Sequence, residues 1–353
     1  MTFDYDVIRN CVCEPVFIET DAPVAATVKS AVTQDGREFP AQSIEGGAIV
    51  LLTASQGEEL ELEFCDAPCG TGITVSPGGR ADSVDIKIGG ELFTSYVYSD
   101  SFAKPYLGPV FGKDSVEYTR CDLTAKEHPH QRSLIIAVGD VNGIDFWNEP
   151  GGEGEERHKE LCNVVSGSAY AAFTAKNLWR IKDGTPVCDE ERTFTFYAQP
   201  ESCRYVDIDV VFTAAYGRVV FGATKEAGPL GIRVNEAIKV LNGGNMVNSY
   251  GAQGEAQCWG RPAHWCDYTG TINGNRYGIA VFDSETNLRY PTTWHIRNYG
   301  LLAANNLFFK GELAIEEGQS LRYRYRVCFH SEGFDSTVND RFVMYAAAEK
   351  ERI

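Results

Sequence analysis

Tyr205-Val206-Asp207-Ile208-Asp209-Val210-Val211-Phe212 and, far downstream, Leu321-Arg322-Tyr323-Arg324-Tyr325-Arg326-Val327 alternate between polar and apolar residues with a period of two. Alternate side chains of an extended chain point to opposite faces, so each run reads as a strand with one buried face. The second run sets three arginines on one face and aromatic or aliphatic groups on the other. The same signal recurs at Ser83–Ile88, and further strands are expected at Leu92–Tyr98, Ser133–Val138, Ala169–Thr174, Thr193–Tyr197 and Tyr277–Phe282. Helical periodicity is rare. Its clearest instance runs from about Ser336 to Lys350, with Asp335 or Ser336 as a cap. Many strands with little helix predict an all-β fold, a large antiparallel two-sheet supersandwich over residues 81–353.

Upstream, short strands at Pro15–Glu19, Ala48–Leu52 and Glu59–Phe64 suggest a separate small β-sandwich over residues 1–75. Breakers at Cys65–Gly70 and Ser76–Arg80 flank a brief strand and mark the boundary.

The chain has 353 residues, 43% of them hydrophobic, which is enough for a core of this size. Its formal net charge of -17 disfavours nucleic acid and anionic membrane surfaces as partners. The acidic start, Met1-Thr2-Phe3-Asp4-Tyr5-Asp6, lacks the basic and apolar regions of a signal peptide, so a cytoplasmic location is expected. Eleven scattered cysteines, with no paired CxxC knuckles, read as reduced thiols and not as a zinc site.

Five segments carry the residues suited to chemistry. In Glu127-His128-Pro129-His130-Gln131-Arg132-Ser133, Pro129 favours an extended backbone, so His128 and His130 are expected to converge. Two such imidazoles can chelate a divalent metal, with His264, His295 or a carboxylate as a third ligand, or can act as acid and base. Arg132 adds a planar donor fork. Val138–Trp147 joins Asp140, Asn142, Asp145 and Trp147; Asp and Asn suit sugar hydroxyls, and an indole stacks on a pyranose face. Asn142-Gly143 also reads as a type I′ hairpin turn. Phe221–Arg233 places Lys225, Glu226 and Arg233 among glycines. Cys258–Tyr268 holds Trp259, His264 and Asp267, and Tyr290–Gly300 holds His295, Arg297 and Tyr299. If the last is extended, His295 and Arg297 share a face while Trp294 and Ile296 enter the core. Four of six histidines and four of five tryptophans fall in these segments, the concentration expected of a polar, aromatic cleft. Serine-hydrolase, Walker and dinucleotide motifs are absent from the sequence.

Lys104–Leu107, His128–Arg132, Gly139–Trp147, Thr224–Glu226, Trp259-Gly260, Trp265–Tyr268 and Trp294–Asn305 together resemble, in the same order, a bacterial family labelled PmoA-like. The departure is Gln131-Arg132-Ser133, where that family usually has His-Arg-Gly. The label alludes to a multispan methane oxygenase subunit, and this chain has no apolar run of spanning length. The resemblance implies a galactose-mutarotase-like supersandwich, sugar catabolism, and partnership with a sugar dehydrogenase that makes keto-sugars.

The expectation is an enzyme acting on a sugar or 3-keto glycoside. His128, His130 or His295 would move a proton, and Arg132, Arg297 or a metal would stabilise an enolate. The outcome would be that of a lyase, epimerase or hydrolase. The alternatives are a glycosidase with paired carboxylates drawn from Asp140, Asp145, Glu226 and Asp267, and a non-catalytic carbohydrate-binding protein.

Overall fold

The computed structural model describes residues 2–351 apart from 22, 123, 150, 227 and 332–336. Among these residues the larger body is a sandwich of two eight-stranded antiparallel sheets. One sheet runs Gly154–Val165, Tyr170–Ile181, Pro186–Tyr197, Cys203–Thr213, Ser320–Ser331, Asn275–Asp283, Trp265–Ile272, Asn245–Asn248. The other runs Trp294–Arg297, Leu301–Ala304, Leu230–Arg233, Leu134–Ile136, Tyr106–Val110, Glu91–Val97, Ser83–Ile88, Ile73–Pro77. The all-β supersandwich is therefore the observed architecture.

The two runs that open the sequence reading lie side by side at the centre of the first sheet, with Asp207 opposite Arg326 and Asp209 opposite Arg324. Val206, Ile208, Val210 and Phe212 enter the core between the sheets with Tyr323, Tyr325 and Val327. On the opposite face Arg326 grips Asp207 with two bonds of 2.6 and 2.8 Å, and Arg324 reaches Asp209 at 3.1 Å. Matched charges and matched apolar faces thus select one register.

The amino-terminal strands form a six-stranded sheet with its own core, which includes Leu52, Leu62 and Phe39. Its boundary falls earlier than residue 75. Ile73–Pro77 pairs with Ser83–Ile88 as the edge of the second sheet. The carboxy-terminal helix Val338–Glu351 lies against this module through Met344. The cap expected at Asp335 or Ser336 lies outside the described residues. Module and helix together cover the outer face of the first sheet, where Ile49, Leu51, Tyr170, Tyr205 and Tyr345 share a core. The acidic stretch 151–156 leads into the strand Gly154–Val165, where Glu156 is buried and paired with Arg192 at 2.8 Å. All eleven cysteines are free. No helix among the described residues is long and apolar enough to cross a membrane.

Candidate functional site

The second sheet leaves its outer face free of the module, and alternation decides what that face carries. Leu134, Ile136, Leu230, Ile232, Leu302, Ala304, Trp294 and Ile296 point into the core. Their neighbours therefore point out. Register sets His295 beside Ala303, Ala303 beside Gly231, and Gly231 beside Ile135; one step along, Arg297 faces Leu301 and Leu301 faces Arg233. Small residues under the imidazole leave room for a cavity, and the expected division of Trp294 and Ile296 from His295 and Arg297 is the one observed.

A cavity of about 270 Å³ opens there, lined by His128, His130, Gln131, Trp147, Asn148, Lys225, Glu226, His295, Arg297, Tyr299 and Leu301. Four of the five segments singled out by sequence meet in it. His128 and His130 converge, with ring centroids 5.8 Å apart, but not through an extended chain. His128 has φ of +48°, and its carbonyl accepts bonds from Gln131 N at 3.0 Å and Arg120 Nη2 at 2.7 Å. This tight turn holds the imidazole flat against Tyr299, centroids 4.7 Å apart and 6° from parallel. Left-handed backbone at a non-glycine residue persists where the surroundings over-determine it. His128 Nδ1 stands 3.4 Å from Glu127 Oε1.

His295 accepts a 2.9 Å bond at Nδ1 from Trp259 Nε1. An indole nitrogen only donates, so Nδ1 carries the lone pair and neutral His295 carries its proton on Nε2. Burial, with Arg297 and Lys225 nearby, pushes His295 down to about 4. Burial, with Lys104 and His128 nearby, does the same to His130, also to about 4. His128 is lowered as well, by burial and then by Arg233. Three neutral imidazoles therefore line the cavity at neutral pH.

The remaining residues set this geometry. The helical turn Gly254–Cys258 presents Glu255 to Arg297 at 3.1 Å and is followed at once by Trp259. Trp147 and Asn148 are held by Asp145, which accepts both backbone N–H groups at 2.8 and 3.0 Å. Lys104 bonds the Trp147 carbonyl at 3.0 Å and Glu149 at 2.7 Å.

Several expected site residues lie elsewhere. Arg132 is not on the wall; it pairs with Glu149 at 2.9 Å and lies over Phe102. Arg233 is buried behind the wall, bonded to Gln131 at 3.0 Å and placed over Tyr299. Trp259 supports His295 from outside the lining. Asp140 and Asn142 form the turn instead: Asp140 accepts from Gly143 N at 2.7 Å, and Asn142 bonds Arg218 O and Val220 N. Short polar side chains satisfy backbone groups best in such turns, which is the hairpin reading of Asn142-Gly143. His264 sits between Tyr250 and Tyr290, near Phe342 of the carboxy-terminal helix. Asp267 is buried in a pair with His330 at 2.8 Å. For the metal expected on His128 and His130, no group of three His, Cys, Asp or Glu side chains close enough to share an ion occurs among the described residues.

Gln131, Asn148 and Leu301 line the cavity without having been singled out as site residues. Leu301 reaches the wall because it pairs with Arg297 across the turn 298–300. Gln131 stood out only as the place where the PmoA-like family usually has His, and Asn148 gave no signal beyond its neighbours.

A family model matches residues 83–343. The chain belongs to the family of unknown function DUF6807. The match starts at the strand Ser83–Ile88, so it takes in the whole cavity and leaves out the amino-terminal module. It names this family and not the PmoA-like one. No curated protein matches the chain. Among solved structures, the chain is similar to the GH36 α-galactosidase AgaB from Geobacillus stearothermophilus at 12% identity and a TM-score of 0.39, covering 74% of this chain and 41% of that one. It is similar to heparan sulfate lyase HepC from Pedobacter heparinus at 9% and 0.35, covering 74% and 36%. Galactose 1-epimerase from Lactobacillus acidophilus follows at 9% and 0.32, covering 74% and 98%. The chain spans about two fifths of the length of the α-galactosidase it matches. Likeness at this level transfers no activity from one protein to another.

Proposed function

We propose that the cavity takes one sugar ring bearing a carbonyl, as in a 3-keto glycoside, and that its imidazoles move a proton at the carbon next to that carbonyl. The observation that carries this reading is the set of neutral imidazoles lining one small cavity with Arg297 and Lys225. At about 270 Å³ the space suits a single ring and little more.

Partners divide the roles. His128 Nδ1 lies 3.4 Å from Glu127 Oε1, which places a carboxylate where imidazolium charge would form, and Nε2 is taken as its basic atom. His128 is the base. His295 holds its proton on Nε2 and so serves as a donor to the substrate oxygen, not as the second base expected from sequence. As the C–H bond breaks, its proton goes to His128 and its electron pair to the enolate, whose oxygen meets the His295 N–H and the Arg297 and Lys225 cations. Delivery of a proton from solvent to the opposite face of the enolate, with His128 later releasing its own, gives an epimer. Alternatively the enolate pair forms a C=C bond to the next carbon, whose substituent leaves with the electrons of its own bond and takes up the proton from His128, which gives elimination.

The paired-carboxylate reading loses support, because Asp140, Asp145 and Asp267 are not on the wall and, among the described residues, Glu226 is the one carboxylate that is. The test is solvent deuterium uptake into a 3-keto glucoside, followed by NMR. His128→Ala should slow exchange by about 10²–10⁴-fold, the usual contribution of a positioned base. Exchange at the wild-type rate in His128→Ala, or tight sugar binding with no exchange in the wild type, would discard this mechanism. The second result would leave a carbohydrate-binding protein.

A further inference from the structure

A single ring fills the cavity, so whatever is attached to that ring must lie on the rim. Beside His295, outside the residues that line the cavity, lies an aromatic cluster. Trp259, whose N–H holds His295, packs edge to face on Phe309 with centroids 5.0 Å apart, and Phe309 packs edge to face on Phe308 at 4.8 Å. Phe308 and Phe309 are 38% and 40% exposed, an unusual state for two adjacent phenyl rings.

Their exposure is built. Asn305 Oδ1 accepts from the backbone of Leu307 and Phe308, both at 3.0 Å, while its Nδ2 donates to the Thr224 carbonyl at 3.0 Å. That bond ties the aromatic loop to Lys225 and Glu226 of the cavity wall. On the far side of the loop, Arg289 holds the carbonyls of Asn306, Gly311 and Glu312 at 2.6–2.9 Å. Gly260, at φ of +70°, makes room for Phe309; a Cβ there would stand 2.5 Å from its ring. The two rings are thus fixed between the wall residue Lys225 and the indole behind His295.

We infer that Trp259, Phe308 and Phe309 form a platform for an aromatic aglycone, so that the substrate class is aryl glycosides whose sugar ring occupies the cavity. This rests on the sugar reading above. An aryl group is favoured over a second sugar because the trio's one polar atom, the indole N–H, is already bonded to His295. Sugar hydroxyls on the platform would find no partner from these three rings.

The test is calorimetric titration with methyl β-glucoside, phenyl β-glucoside, cellobiose and their 3-keto forms. The phenyl compounds should bind about ten-fold more tightly than the methyl ones, from aromatic contact and buried area. Phe308→Ala/Phe309→Ala should abolish that preference while methyl glycoside affinity stays within about two-fold, the measure of an intact cavity. Equal affinity for methyl and phenyl glycosides, a phenyl preference that survives the double substitution, or a preference for cellobiose would each overturn the platform and leave the sugar reading standing. Binding of none of these compounds would overturn the sugar reading, and the platform with it.

Discussion

The bond from Trp259 Nε1 to His295 Nδ1 fixes a tautomer, and a tautomer can be observed without knowing the substrate. In ¹⁵N NMR, His295 should show a protonated Nε2 and a bare Nδ1. Trp259→Phe should mix the two forms and lower turnover of a keto-glycoside by about 10-fold or more, with kcat falling more than KM, as expected of a lost transition-state donor. A wild-type His295 protonated at Nδ1 would refute the assignment. The same burial has a pH signature. Neutral His130 and His295 resist protonation down to about 4, whereas the unfolded chain protonates both near the ordinary 6.5. The unfolded state therefore binds more protons in that window, and stability must fall as pH drops from about 6.5 to about 4. A displacement from 6.5 to about 4 corresponds to about 3 kcal/mol for each ring, so His130→Asn should flatten this part of the denaturation-versus-pH curve. An unchanged slope would contradict the burial. Sequence made the pair His128 and His130 legible, but for a reason that does not hold. A left-handed turn brings them together, and local sequence gave no sign that Arg120, eight residues upstream, and the distant Tyr299 stabilise it.

Elements of this fold were legible wherever one face is buried, because period two then appears in the residues themselves. The strand Trp294–Arg297 shows how sharply neighbours diverge: Trp294 is wholly buried in the main core and His295 lines the cavity. Trp294→Ala should cost about 3–5 kcal/mol in chemical denaturation, the range for an emptied aromatic core site. His295→Ala should change stability at neutral pH by less than half as much while removing turnover. Similar losses of stability at both positions would mean that the alternation does not separate core from site. What sequence obscured was polar residues in structural work. Asp140 and Asn142 read as sugar ligands because turn formers and sugar binders are the same amino acids. The burial of Glu156 gave no local sign, because its partner Arg192 lies on a strand two places away in the same sheet.

At the scale of the whole molecule, the module and the terminal helix lie on one face of the sandwich and the cavity on the other. One buried charge cluster joins the first three parts: Glu14 of the module, Arg341 of the helix and Tyr205 of the sheet are mutually hydrogen-bonded. Glu14 is wholly buried, and burial pushes its carboxyl up against the pull of Arg341 and Arg326. Arg341→Leu should take away the ion-pair partner of that carboxylate, leaving the Tyr205 hydrogen bond, and cost about 3–5 kcal/mol at neutral pH. The loss should depend on pH in a definite sense. Without Arg341 the folded-state carboxyl lies still higher above its unfolded value of 4.5, so the unfolded state loses its proton first as pH rises. The variant should therefore be closest to wild type near pH 4 and fall away as pH increases through the raised value. Glu14→Gln on the Arg341→Leu background should remove this pH dependence. Because the cluster and the cavity occupy opposite faces, sugar affinity measured well below the unfolding temperature should not change in either variant. A variant that unfolds no more easily at pH 7 than at pH 4 would mean that Glu14 is not held in a dry interface. A variant that loses sugar affinity while still folded would mean that the two faces of the sandwich are coupled.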